Sequence, residues 1–483
     1  MLRKWWLVLP LVCLCPVRAA ALDPHKRISQ YAHNVWRVQD GFFTGIPWAV
    51  AQTSDGYVWL GTASGLLRFD GVRFVPFAPG HGWRSGSSIP HLLAARDGGL
   101  WIATADALSR WKNETLTSYP VMAGGVQSIV EDNNGDIWFG QTDETGAASL
   151  CQVVGTAIRC LNEADGMPAL RMAAALTADA RGNLWLGGQR TLVRWSPSSH
   201  TVYRPDKLAT NFSTGFVGIV PKPDGSVWVG IARGPGLQQI IDDKWSPVKI
   251  GDFDGAAYSI SSMMADREGV VWIGTADHGL FRFAGNHVEH YDATHGLSGN
   301  YVLNIHEDHE GNVWVTTNQG LDRFNDTPVV TFSKAEGLCS NEASAVIAAG
   351  DGGAWVGGSD GVTHFGRDSV SCLRGHGVGV LPGKQVTTLL EDAAGRLWVG
   401  VESELWTYDH GHFRRIARPD GHPMGFVTSM ALDVAGDVWV TANRPPRTLT
   451  RIHDLVVQEE ISDVQMPRKV APDFTGGVWL GLL

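Results

Sequence analysis

The chain has 483 residues, of which 58 are Gly and 20 are Trp; 18% are charged, and the formal net charge is -10. That length allows more than one domain and a large core, while the acidic balance excludes the basic footprint of a nucleic-acid binder. A Gly- and Trp-rich, charge-poor composition suits many short strands joined by tight turns.

In chain order, residues 1–21 read as a secretory signal peptide. Arg3 and Lys4 form a positive start, Trp5 to Val17 is an apolar run broken by Pro10 and Pro16, and Ala19-Ala20-Ala21 offers a small-residue cleavage site. The run is too short to span a bilayer. Neither Cys13 nor Cys15 follows a small residue, which argues against a lipoprotein signal. No later segment reads as a membrane span, so the mature chain is expected to be exported and periplasmic.

The mature chain keeps Cys151, Cys160, Cys339 and Cys372. A two-residue hairpin turn at Gly155-Thr156 sets Cys151 opposite Cys160 in a non-hydrogen-bonded pair, where side chains approach closest. Export favours oxidation, so a disulfide is expected there, with two buried thiols as the alternative. Cys339 and Cys372 could form a second bridge, although nothing in the sequence fixes their distance. No CxxC or CxxH spacing suggests zinc, and no metal or cofactor is expected.

Internal repetition is the strongest signal. A Gly turn, an apolar residue, Trp, an apolar residue and usually Gly recur around Trp59, Trp101, Trp138, Trp185, Trp228, Trp272, Trp314, Trp355, Trp398, Trp439 and Trp479, at a mean spacing of 42 residues. Each repeat holds four strand-like stretches: the first three as in Tyr301–Ile305, the strand of Trp314 and Gly320–Phe324, and the fourth a further short run such as His287–Tyr291. Four strands in such a period make one propeller blade. The Trp should lie on the second strand and pack between blades, and the following Gly should admit a close neighbour. Asp132-Asn133-Asn134-Gly135-Asp136 has the look of a short calcium loop, but Asx and Gly are ordinary turn residues.

At these residues the sequence resembles the two-component regulator propeller family. The family's Trp-x-Gly-Thr-x-x-Gly-Leu-x-Arg-Phe signature is matched from Trp59 to Phe69 and, with one extra turn residue, from Trp272 to Phe283. Trp36-Arg37-Val38-Gln39-Asp40-Gly41 looks like the start of such sensors. The resemblance implies two seven-bladed propellers, an Ig-like domain, a transmembrane helix and a cytoplasmic output domain such as a histidine kinase. On this basis the fold is all-β: one complete seven-bladed ring over 22–327, then an incomplete second propeller of about four blades over 328–483. The second propeller stops inside a strand at Trp479–Leu483. That leaves an open sheet edge, so a fragment is expected, or else a short sensor whose ring closes with another chain.

No kinase motif, nucleophile elbow, HExxH helix or P-loop occurs, so this chain reads as a binding module and not an enzyme. Ten residues before each Trp of the first propeller stand Ala49, His91, Ser128, Ala175, Gly218, Ser262 and Asn304. Mostly small, they fit the crowded innermost strands, with His91 and Asn304 as polar groups facing the channel. At the start of those strands lie Ser88, Arg171, Tyr258, Asn300 and Tyr301, with Trp48 slightly inside; the second propeller has Asn341, Glu342, Gln385 and Phe426 in the comparable stretch. Rings beside Arg and Asn suit a carbohydrate; the plain alternative is a solvated rim. The loops Asp143-Glu144-Thr145, Arg233-Gly234-Pro235 and Asp277-His278 should crowd the same mouth. The expected partner is an oligosaccharide or other small ligand, with no nucleic acid and room for a homodimer. A glycan lyase or hydrolase, or a protein-binding scaffold, stands as the alternative function.

Overall fold

The computed structural model describes residues 21–482, apart from 79–85, 162–164, 206–214, 367–368, 374–380, 382–384 and 445–446. The signal peptide read from residues 1–21 therefore lies, but for Ala21, outside the described residues. No helix among them is long and apolar enough to cross a membrane. The chain divides into two compact units between Val329 and Val330.

One blade shows how the sequence builds all of them. Ile260–Ala265, Val271–Thr275, Leu280–Ala284 and His287–Tyr291 form an antiparallel four-stranded sheet in sequential order. Its first turn is tied by Asp266, whose carboxylate accepts from Glu268 N, Val270 N and, at 2.9 Å, from Trp272 Nε1. The same pairing, an Asp six residues before the Trp, joins Asp132 to Trp138, Asp179 to Trp185, Asp308 to Trp314, Asp392 to Trp398 and Asp433 to Trp439. Asp132, the first residue of the calcium-like loop, spends its carboxylate on Asn134 N, Asp136 N and Trp138 Nε1. Its position is explained by turn formation.

The Trp rings pack between blades. Trp272 is buried with Val302, Val313 and Phe324 of the next blade. Two residues after most of these Trp residues, a Gly makes room for the next inner strand: a Cβ on Gly230 would lie 2.6 Å from Ile260 Cγ2.

Among the described residues the first unit has seven blade sheets, the third widened to five strands by Leu170–Arg171, and a further two-stranded sheet of Lys249–Ile250 with Phe253–Asp254. The seventh returns to the first, with His309 N donating to Gln52 Oε1 at 2.6 Å and Gln52 Nε2 to Glu310 Oε2 at 2.7 Å. The seventh blade departs from the expected plan, in which every repeat supplies its own four strands. Its outer strand is Ala32–Arg37, from the other end of the ring, paired antiparallel with Gly320–Asn325 through Trp36 and Leu321. Trp36 stacks on Trp314 at 5.7 Å, and His33 Nε2 meets the buried Asp322 carboxylate at 2.8 Å. Ring closure thus rests on a strand ladder as well as on side-chain packing.

The second unit has four-stranded sheets beginning at Ala343–Ala348, Val386–Glu391 and Val427–Leu432, and a two-stranded sheet of Pro467–Pro472 with Val478–Leu482. Cys151 and Cys160 face each other across a hairpin and are disulfide-bonded, with Cα atoms 4.0 Å apart. Cys339 and Cys372 are also bonded, at a Cα separation of 5.3 Å.

Candidate functional site

The inner strands of the first unit converge on a central channel. Five of the seven begin with a one-residue bulge, so the register skips Trp48, Gln127, Val217, Ser261 and Leu303. A bulge bends its strand and re-aims the side chains beside it. The seven residues found ten before each Trp all line one cavity of about 450 Å³ in this channel: Ala49, His91, Ser128, Ala175, Gly218, Ser262 and Asn304. Crowding explains why most are small. Met263 of the next blade fills the space beside Gly218, where a Cβ would meet it at 2.7 Å.

Some of the polar groups of the cavity are already engaged and others are not. Ser128 Oγ donates to Ala173 O at 2.7 Å, and Ser261 Oγ donates to Val302 O at 2.6 Å, so both link neighbouring blades. His91, Ser262 and Asn304 have no side-chain hydrogen-bond partner among the described residues. Burial holds the His91 imidazole far below its ordinary range, at about 4, so it is neutral near pH 7, with one donor and one acceptor nitrogen.

The other expected ligand residues do not line this cavity. Arg171 is exposed in the short strand Leu170–Arg171, where its Nη2 donates to Thr145 O at 3.0 Å. Tyr258 stacks on Phe253 at 5.2 Å and packs against Phe281 at 4.7 Å, so part of its ring serves the blade core. Asn300 spends its carbonyl on Ala293 N at 2.8 Å, closing the short turn Ala293–His295; Asn341 does the same for Lys334 N in the second unit. Tyr301 is 43% exposed. Trp48 is half-buried, and its Nε1 is buried without a partner among the described residues.

The loops after the Trp strands do flank the starts of the inner strands. Arg233 N donates to Ser259 Oγ, Gly279 N donates to Asn300 O, and His278 meets the edge of Tyr258 at 5.3 Å. Asp143 accepts from the Thr145 hydroxyl and from nearby backbone N–H groups, which hold its carboxyl below the usual range. In the second unit, Glu342 N donates to Ser340 Oγ and Arg444 lies over Phe426 at 4.4 Å. Sequence reading missed Gln127 and Ser261, which line the cavity from the bulges.

A closed ring of four-stranded blades around a channel is a β-propeller. The model of the family described as "Two component regulator propeller" matches residues 254–277, 296–319 and 380–403, so these three segments carry that family's repeat. Among curated proteins none matches the sequence. Among solved structures, the chain is similar to one described as the extracellular domain of the hybrid two component system BT3049 from B. thetaiotaomicron, with TM-score 0.63, 16% identity and coverage of 94% of this chain and 70% of that one. It is also similar to the extracellular domain described for BT4673 of the same organism, with TM-score 0.50, 18% identity and 94% of this chain covered; it spans 65% of that chain's length. A catalytically inactive variant of virginiamycin B lyase from Staphylococcus aureus, solved with quinupristin, aligns at TM-score 0.50 and 17% identity over 62% of this chain and all of its own. At these identities the likeness is one of fold.

Proposed function

We propose that the chain is the extracytoplasmic ligand-sensing part of a two-component signal transduction protein, and that it binds an oligosaccharide or a similar nutrient. The observation that carries this reading is the channel cavity, where His91, Ser262 and Asn304 have unspent hydrogen-bonding capacity inside a ring of sensor-type repeats. The signal-peptide pattern and the two disulfides support an exported location. On this reading the residues described bind the ligand. A ligand with different affinities for two arrangements of the propeller, or of a propeller dimer, would shift the population between them.

A thermal-shift screen of the purified chain against oligosaccharides tests the reading. At least one should raise the melting temperature without being consumed. Release of product from a labelled glycan would contradict the non-enzymatic reading and favour a lyase or hydrolase.

A further inference from the structure

We infer that the channel cavity selects an uncharged, hydroxyl-rich ring of about hexose size and rejects sugars that carry a carboxylate or phosphate. This deepens the ligand-sensing reading and rests on it.

Three features of the lining support the inference. First, no Asp, Glu, Lys or Arg contributes to the cavity wall among the described residues. An anion placed there would shed hydration without gaining a counter-charge. Second, the unspent groups are neutral and come from different directions: His91 from the second blade, Ser262 from the sixth and Asn304 from the seventh. On the third blade, Gln127 uses its amide N–H on Gly124 O at 2.9 Å and keeps its carbonyl oxygen free. Hydroxyls both donate and accept, so a polyol ring can satisfy all four groups. Third, Leu92, Val217 and Leu303 also form the wall, giving the C–H faces of a ring apolar surface to cover.

The cavity of about 450 Å³ has room for one sugar ring and falls within the roughly 300–1,000 Å³ of small-molecule sites. His91 stays uncharged at neutral pH because burial disfavours the imidazolium, so it does not act as a counter-ion. Arg171 does not line the cavity and already donates to Thr145 O.

The test is isothermal titration calorimetry on the full chain with neutral mono- and oligosaccharides, each beside its uronate or sugar-phosphate counterpart. The neutral member of a binding pair should bind at least about tenfold more tightly. His91→Ala and Asn304→Ala should each weaken binding about tenfold, the factor equivalent to 1.4 kcal/mol and expected for one lost hydrogen bond. His91→Gln should retain most of the affinity, and Arg171→Ala should change it less than threefold. Ser262→Leu, which fills the channel while its melting curve reports folding, should abolish binding. Tighter binding of the charged member, or loss with Arg171→Ala but not with the channel variants, would overturn the inference and leave the sensor reading standing. Binding of no saccharide of either kind would overturn both.

Discussion

Asp308 is 2% exposed and accepts from Asn312 N, Asn312 Nδ2 and Trp314 Nε1 at 2.7–2.8 Å. Each buried donor left unpaired costs about 1–3 kcal/mol. Asp308→Ala should therefore lower the unfolding free energy by roughly 2–4 kcal/mol in urea titration; a loss under about 0.5 kcal/mol would contradict this role. The second blade offers the reverse experiment. Ala95 stands where most other repeats have Asp, and Trp101 Nε1 is buried without a partner among the described residues. Ala95→Asp should stabilise by about 1 kcal/mol, read as a higher melting temperature.

Histidines set an acid limit. Burial lowers His91 and His306 to about 4 each, from an ordinary 6.5. Between those values the unfolded chain binds more protons than the folded one, so stability falls as pH drops from about 6.5 to about 4. Denaturation midpoints measured across that range should show the fall, and His91→Gln should make it shallower. An unchanged profile in the variant would contradict the depressed imidazole.

Among elements, the strand Ala32–Arg37 was the least legible in the sequence. Its partner Gly320–Asn325 lies at the far end of the ring, and a ladder between such distant segments leaves no local periodicity to read. The repeated strands were legible because period, Trp and Gly turns are all local. The bulges were not, because a bulge belongs to the register of two strands. Yet they place Gln127 and Ser261 in the cavity wall. Removal of residues 21–37 should strip the seventh blade of its outer strand and replace a sharp thermal transition with a broad one at lower temperature. A transition as sharp and as high as that of the intact chain would contradict the closing role of this strand.

At the scale of the molecule, the repeat made the propeller legible, and the common position ten before each Trp made His91 and Asn304 legible. The rim was less so. Covering of Tyr258 by Phe253 and use of Asn300 in a turn depend on contacts that spacing does not encode. The second unit exposes Val346 and Trp479, each at 69%; ten equivalent Trp residues are wholly or largely buried. Exposed apolar surface promotes association, so a chain ended after Val329 should be more soluble and melt more cooperatively than the full one. Equal solubility and cooperativity would count against that division.

The central claim, that the channel is where a neutral sugar is sensed, is tested most directly by a crystal structure of the chain with the saccharide that stabilises it most. The account predicts a sugar ring in the cavity, within hydrogen-bonding distance of His91 and Asn304. A saccharide bound at the rim beside Arg171, with the cavity holding only water, would contradict it.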